Sequence, residues 1–573
     1  MKRWDFESLS GGVNLADRPD ALLTGQASAV GNVWFRDGAL RPRPGKAAAE
    51  DWGLDAPVDA LCDDQRGSFY IQSGGKLWRR HGGVTEALWT LSPSGDGTVT
   101  VGSFVPHSNA CVYFVNGTEF LLIDGSSVSA AAPYYPVHLY TQERVGSGGA
   151  QVVESPNLLT NWIRVRYHLV DQGTTAVFDL PKECLSNVKP IEVLCNGSPQ
   201  TVSSISGRRV TLSKSVSMSN VVLEVTAQIK ATVSDIRSCR SAVMFGPESR
   251  MILFGNGSNH YFVSGAFNPT YFPVDGEHAF GSGDPITGVG KLYDLLVLFK
   301  ARELAEVRPS DGYLASTVNP VIGCDMPGSI CTVGNRLVWA NSYSGVHMLV
   351  STSRANERNV RNISRNVDPA LLAEDTAELQ AASSCDWDGH YLLCVGDRVY
   401  VWDYRERPYT GADENAAARA LAWYVWEGLS AQFWMSSGAE LCYLRRSSAE
   451  LIRLAEGRDD MGQPFAVRWK SGAVCPAEPG YCFHADEACV TVPRDRECVL
   501  TLVASCDERE ENAPHACGTI TVPASPTGYS AARVFPLRLR DARSVSLDFS
   551  GTNAGFGLQK LGIYWRKGGR ERR

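Results

Sequence analysis

The residues best suited to chemistry in this 573-residue chain are ten histidines, sixteen cysteines and two adjacent aspartate pairs. Their spacing builds no familiar site. His81, His107, His168, His260, His278, His347 and His390 are scattered. No His-x-x-x-His pair, Gly-x-Ser-x-Gly elbow or Gly-x-x-x-x-Gly-Lys-Ser/Thr loop occurs. Asp63-Asp64 and Asp459-Asp460 are the carboxylate pairs a glycosidase would need, but both lie in polar turn contexts and read as solvated loop tips. Gly281-Ser282-Gly283-Asp284 imitates a phosphate loop, yet no helix pattern follows it to supply the anion-binding N-terminus. Trp423, Trp426, Phe433 and Trp434 alternate along strand-like runs and read as packing aromatics. No catalytic, cofactor-binding or metal-ligating residue is assigned, and no cofactor is expected.

The cysteines divide into two groups. Most sit singly in apolar runs, such as Cys111 in "ACVYFV" and Cys394 in "YLLCVG", and behave as small hydrophobes. Cys475, Cys482, Cys489, Cys498, Cys506 and Cys517 crowd together near the end without a Cys-x-x-Cys pair. Free buried thiols are the default reading of these six, which are also the candidates for a disulfide or an inter-subunit cross-link.

The totals narrow the classes further. Net charge is −7, with 44% hydrophobic and 20% charged residues, which fits a globular chain and not a basic nucleic-acid clamp. The tail from Arg566 to Arg573 is a local basic patch, expected to be a frayed and solvated terminus. No run approaches the roughly 18 apolar residues of a membrane span. Met1-Lys2-Arg3-Trp4-Asp5 lacks a signal-peptide core, so synthesis in a cytoplasm is expected.

Helical periodicity is scarce. The best stretch is "DPALLAEDTAELQAA", from Asp368 to Ala382, with Asp368 as N-cap and Pro369 at the first helical position. A short Ala-rich stretch around Asn415 to Ala422 is the other. Elsewhere, short apolar or alternating runs are separated by Gly, Asn-Gly or Asp-Gly, the pattern of an all-β protein. A lead strand, a polar turn and two further strands recur from Val58, Thr98, Ile236, Ile286, Cys331, Ala382 and Leu421. A period of roughly 35–40 residues is that of a β-propeller blade, so the fold is read as a propeller of about six or seven blades. One small sheet cannot bury both faces alone; set radially, each covers the next.

The propeller is assigned to residues 51–135 and 229–460. Between its second and third units, residues 136–228 alternate around an Asn196-Gly197 turn and read as an inserted β-sandwich. Gly146-Ser147-Gly148-Gly149 would be its hinge. Residues 461–573 read as a C-terminal β-sandwich module, and residues 1–50 as an extended N-terminal arm.

"GGVNLADRPDALLTGQASAVGNVWFRDGALRPRPG" resembles the N-terminus of a family of tailed-bacteriophage structural proteins, through Gly11, Gly12, Asn14, Gln26, Ala27, Asn32, Val33, Gly38, Leu40, Arg41, Arg43, Pro44 and Gly45. "GDPITGVGKLYDLLVLFKARELAEV" looks like a blade typical of the same proteins, and "LGIYWRKGG" like their last strand. The resemblance implies a virion tail or neck protein made in the host cytoplasm, a hub or nozzle on the portal–tail axis. Its implied partners are further copies in a homo-oligomeric ring, portal or connector (adaptor) proteins, tail fibre or receptor-binding proteins, and genomic DNA in passage. In this setting residues 1–50 would cross the propeller or reach a neighbouring subunit, with Asn32, Trp34, Phe35, Arg41 and Arg43 as assembly contacts. Their loss would then harm assembly more than folding. The alternative is a carbohydrate-binding or glycan-cleaving propeller at a host surface, which a cluster of aromatic and acidic side chains on the propeller would favour.

Overall fold

The computed structural model describes residues 1–107, 111–140, 151–230, 234–350, 359–409, 414–438, 440–455, 457, 459–478, 480–506 and 514–570. Seven four-stranded antiparallel sheets form the blades of a β-propeller, the fold class expected from the repeat. Six are meanders in chain order, spanning residues 58–90, 103–130, 241–279, 288–319, 331–362 and 383–427. They are called blades 1 to 6. The seventh joins Ala431–Ser437, Glu440–Arg445 and Glu450–Ala455 to Gly45–Asp51, which pairs antiparallel with Glu450–Ala455. The ring is thus closed by a strand from near the start of the chain.

Blade sequences follow from this packing. Inner strands are covered on both faces by neighbouring blades, so they read as unbroken apolar runs instead of alternating ones. Leu295–Phe299 and His390–Val395 are buried at every residue. Outer strands such as Ser127–Ala130 are largely exposed and polar. Blades 3 and 4 are also joined by a buried cation. Lys300 Nζ donates to the carbonyls of Phe280, at 2.5 Å, and Ser282, meets Glu303 at 3.4 Å and lies 4.2 Å from the Phe280 ring centroid. The Gly281–Asp284 loop is therefore a turn whose carbonyl receives an ammonium group.

The inserted segment, residues 137–228, packs a six-stranded sheet on a three-stranded one around Val165, Tyr167, Phe178, Val210 and Leu223. Asn157 pins its root to the propeller. Its Nδ2 donates to Tyr134 O and Thr270 O, each at 2.8 Å, and its Oδ1 accepts from the Leu159 and Phe272 amides. The glycine-rich stretch Gly146-Ser147-Gly148-Gly149 lies outside the described residues.

The terminal sandwich is built from both ends of the chain. One sheet orders Lys2–Asp5, Lys560–Arg570, Tyr481–Val492 and Ala531–Ala542; the other orders Ala27–Gly31, Ala466–Ser471, Val545–Thr552, Cys498–Cys506 and His515–Val522. Strict burial alternation along Cys498–Cys506 shows one face in the core and one outside.

Three expectations are corrected. Residues 1–50, expected as an extended arm that crosses the propeller or reaches a neighbour, do run along blade 6, but they are integral to the fold: they supply two sandwich strands, the hairpin Val33–Arg36/Ala39–Pro42 and the start of the ring-closing strand. Apart from that local hairpin, their pairing partners lie about 400 or more residues away, so local sequence could not reveal them. The basic tail is not frayed up to Arg570, because its strand pairs with Tyr481–Val492 and Arg566 meets Asp486 at 2.7 Å; residues 571–573 lie outside the described residues. The expected single helix is two, Asp368–Leu371 and Thr376–Gln380. Asp368 is not the cap of the first; its carboxylate takes hydrogen bonds from Ser364 and Asn362. Asp375 starts the second by accepting from the Ala377 amide at 2.8 Å. The described cysteines, read by default as free thiols, form no disulfide within the chain. Cys498, Cys506 and Cys517 are buried in the terminal core, Cys482 and Cys489 are half-buried, and Cys475 is exposed; burial pushes the Cys498 thiol up to about 11.

Two outcomes follow from this architecture. Deleting residues 1–45 is expected to abolish cooperative unfolding in a thermal melt followed by circular dichroism, since both the sandwich and the propeller lose strands or packing. The second concerns His347 in blade 5, which burial holds down at about 4. An unfolded histidine titrates near about 6.5. Between about pH 6.5 and 4 only the unfolded chain takes up this proton, so stability falls with pH by about 3 kcal/mol. The variant His347→Gln should flatten that part of a denaturant-midpoint profile against pH.

Candidate functional site

Four of the five proposed assembly residues face inward, at the junction of blades 6 and 7 with the terminal sandwich. The hairpin turn Asp37-Gly38 has φ of 51° and 73° at its two central residues, the left-handed pair that a two-residue hairpin demands. It places Trp34 between blade 6 and the terminal core, only 1% exposed. The Trp34 ring stacks on Trp387 at 6.1 Å and meets the Trp426 ring edge-on at 5.3 Å. Phe35 is half-buried against the same core. Arg41 is the most peripheral of the five and pairs with Asp495 of the sandwich at 2.8 Å.

Arg43 is the centre of the junction, 2% exposed. Its Nε donates to Asn32 Oδ1 (2.9 Å), Nη1 to Pro44 O (2.9 Å) and Asp460 Oδ1 (3.0 Å), and Nη2 to Glu427 O (3.0 Å) and Asp460 Oδ2 (2.7 Å). All five guanidinium N–H groups are thereby used. Its Cζ also lies 4.0 Å from the Phe465 ring centroid. Asn32 completes the knot, with Nδ2 donating to Ala466 O at 3.0 Å and Oδ1 accepting the Glu427 amide at 2.7 Å. Burial by itself would raise the Asp460 carboxyl, but the hydrogen bonds and charges of Arg43 and Lys46 outweigh it and hold Asp460 below the usual carboxylate range.

A second knot lies further along the same segment. Gln26 Oε1 accepts from Asn14 Nδ2 and the Leu23 amide, and its Nε2 donates to Arg419 O. Asp17 receives Arg365 and Arg419 and is held well below the carboxylate range, chiefly by Arg365. Gly12, at φ 66°, lies so close to the backbone of Trp423 that a Cβ would come within 2.5 Å of its nitrogen. These residues carry the opening motif, and they hold the chain to itself. Asn32, Trp34 and Arg43 are too buried to meet a partner chain, which corrects their assignment as assembly contacts.

Other sequence candidates are also structural. Asp63 and Asp64 accept backbone amides within their own turn, and Asp460 belongs to the Arg43 knot. Trp423 and Trp426 are fully buried, while Trp434 donates to Ser383. Among the described residues, no group of three or more His, Cys, Asp or Glu side chains is placed to hold a metal.

Sequence reading missed a groove on blades 3 and 4. In a four-stranded meander the first and third turns open at the same end of the blade. Those turns of blades 3 and 4 enclose a hollow of about 550 Å³ lined by Glu248, Arg250, Asp275, His278, Ser310 and Tyr313. A second hollow of about 430 Å³, holding Tyr293 and Asp294, shares Pro247 and Pro309 with it. Arg250 pairs with Glu248 at 2.7 Å, donates to Ser264 O and lies 5.4 Å from the Tyr313 ring centroid. Arg308 meets Asp294 at 3.3 Å and Glu306 at 3.2 Å. Burial lowers the His278 imidazole below its ordinary value and raises the Tyr313 phenol. One signal was present: Tyr293 heads the two-residue hairpin Tyr293-Asp294, at a position that usually needs glycine.

The Arg43 knot carries a direct expectation. Arg43→Ala leaves Asp460 buried without its main partner, at a cost of about 3–5 kcal/mol. The depressed Asp460 carboxyl contributes its stability above the usual carboxylate range and loses it as acid protonates the folded form. Urea unfolding of Arg43→Ala should therefore show a large loss at pH 7 and a smaller difference from wild type in strong acid.

No protein-family model matches the chain, and no curated protein matches it. Among solved structures it is similar to the Pan2 WD40 domain of Neurospora crassa, at 9% identity over 72% of this chain and 94% of that one, with a TM-score of 0.27. It is also similar to YCF48 from Cyanidioschyzon merolae, at 10% identity over 71% and 98% of the two chains, with a TM-score of 0.26.

Proposed function

We propose that this protein is a structural subunit of a tailed-bacteriophage virion, forming an oligomeric hub or nozzle ring on the portal–tail axis. The ring would hold or conduct DNA and anchor neighbouring tail proteins, with connector proteins on one side and fibre or receptor-binding proteins on the other. The observation that carries the reading is the coincidence between the opening motif and the buried knots. Gly12, Asn14, Gln26, Asn32 and Arg43, which bear the family resemblance, each occupy a position where a different side chain would lose a buried bond or clash. A resemblance concentrated in such positions is a resemblance of architecture.

The architecture also suits the role. A tail component must keep its shape beside densely packed DNA. Here the terminal sandwich, the ring-closing strand and blade 6 are held together through one charged knot. The inserted sandwich is the largest element outside the propeller and terminal module, and on this reading it reaches neighbouring proteins. The function needs no catalytic group.

Light scattering of the purified protein, alone and with connector proteins, tests the proposal. A discrete ring-sized mass, formed alone or on adding connector, is expected. Cys498, Cys506 and Cys517 are buried and Cys475 is exposed, so a mass that falls on adding reductant would assign the cross-link to Cys475 or its half-buried neighbours Cys482 and Cys489. A monomer at all concentrations, with or without connector, overturns the reading.

A further inference from the structure

Fourteen described residues other than glycine have a left-handed backbone, and three of them are aromatic: Phe267, Tyr293 and Tyr313, at φ 53°, 54° and 64°. All three belong to the turns of blades 3 and 4 that open on the groove. Tyr293 and Tyr313 line its hollows. Phe267 is tied beside it by a 2.8 Å bond from its amide to Glu248 O. A bulky side chain in this conformation is disfavoured, and such strain gathers where a ligand is held. The exposure of the rings makes the case sharper. Tyr293 is 76% exposed and Phe267 67% exposed, so neither ring is recovered by packing in the chain itself.

The remaining groups around the hollows are polar. Asp275 is a carboxylate with no ion-pair partner among the described residues, and Ser310 adds a hydroxyl. Tyr313 contributes a buried hydroxyl that finds no acceptor for its proton. Of the charged groups that line the two hollows, the carboxylates Glu248, Asp275 and Asp294 outnumber the one arginine, Arg250, which is already paired with Glu248.

We infer that this groove binds a carbohydrate, a neutral or N-acetylated oligosaccharide. Exposed aromatic rings offer flat apolar platforms to the C–H faces of pyranose rings, while carboxylate, hydroxyl and imidazole groups exchange hydrogen bonds with sugar hydroxyls. A hollow of about 550 Å³ falls in the ordinary range for small-molecule sites. The excess of carboxylates repels uronates and other acidic sugars. His278, kept neutral by burial, supplies both a donor and an acceptor at physiological pH. The inference does not depend on the tail reading, since the groove is complete within one chain.

The test presents the full-length protein to immobilised maltotriose, cellotriose, N-acetylchitotriose and trigalacturonate, with saturation-transfer NMR on any sugar that retains it. Wild type should bind at least one of the first three and not the last. Tyr293→Gly and Phe267→Ala should each weaken that binding at least tenfold. Tyr293→Gly should melt at or above the wild-type temperature, because glycine relieves the left-handed strain. Failure to bind any of the three neutral or N-acetylated sugars overturns the inference, as does equal binding of trigalacturonate or unchanged binding by Tyr293→Gly. A change in oligomeric mass caused by Tyr293→Gly would assign the face to a protein interface and also overturn it. Loss of the ring in wild type would count against the proposed function alone.

Discussion

The buried Arg43–Asp460 pair is the constraint on which the rest of the molecule depends. Removing a guanidinium and a carboxylate from water costs several kcal/mol per ion, and the attraction between them offsets this only when every remaining donor is satisfied. Here each is. The bonds radiating from Arg43 reach the hairpin strand through Asn32, the end of blade 6 through Glu427 and the approach to the terminal sandwich through Asp460. Three substructures distant in sequence are thus held in one relative position by a group that tolerates no sliding. A hydrophobic contact of equal area would hold them less specifically, because apolar surfaces have no register.

This knot accounts for the course of residues 13–51. A propeller must join its first and last blades, and here Gly45–Asp51 does so by hydrogen bonding to Glu450–Ala455. The preceding residues run against the outer strand of blade 6, where the amides of Val13 and Asn32 donate to the carbonyls of Trp423 and Val425. They then complete both sheets of the sandwich. An exposed strand edge is a site for unwanted pairing, and the opening segment covers this one. Such contacts span nearly the whole chain length, so they form late and at high entropic cost. The terminal module and ring closure are expected to consolidate together.

The rigid part and the strained part of the molecule lie in different blades. Blade 6 buries Trp423 and Trp426 and is tied to the sandwich through the Arg43–Asp460 pair, whereas blades 3 and 4 present Phe267 and Tyr293 to solvent from unfavourable backbone. Lys300 connects those two blades at the end opposite the groove, through the second turn of blade 4. Loops that carry function usually sit on a fixed frame, and this buried cation supplies one. A structural role in a virion and a sugar-binding groove on one face are compatible, since they draw on separate residues.

Much of the fold was legible in the sequence because blade formation is local. Each blade is a run of neighbouring hairpins, so apolar runs and turn residues at a steady spacing revealed the repeat, and the alternation in residues 136–228 marked the insertion as different. What the sequence could not reveal depended on partners far away. Nothing local distinguishes Arg43, which is buried, from Arg41, which sits at the rim; only the fold puts Asp460 beside one and Asp495 beside the other. Nor could the spacing show that Phe267, Tyr293 and Tyr313 share one face, because they come from three turns in two blades. The sequence by itself determined the strands, their turns and their repetition, through short-range backbone preference and periodicity. The tertiary structure alone decided which polar side chains were buried, which aromatics were left in solvent, and that the first strands belong with the last, because those outcomes follow from ring closure.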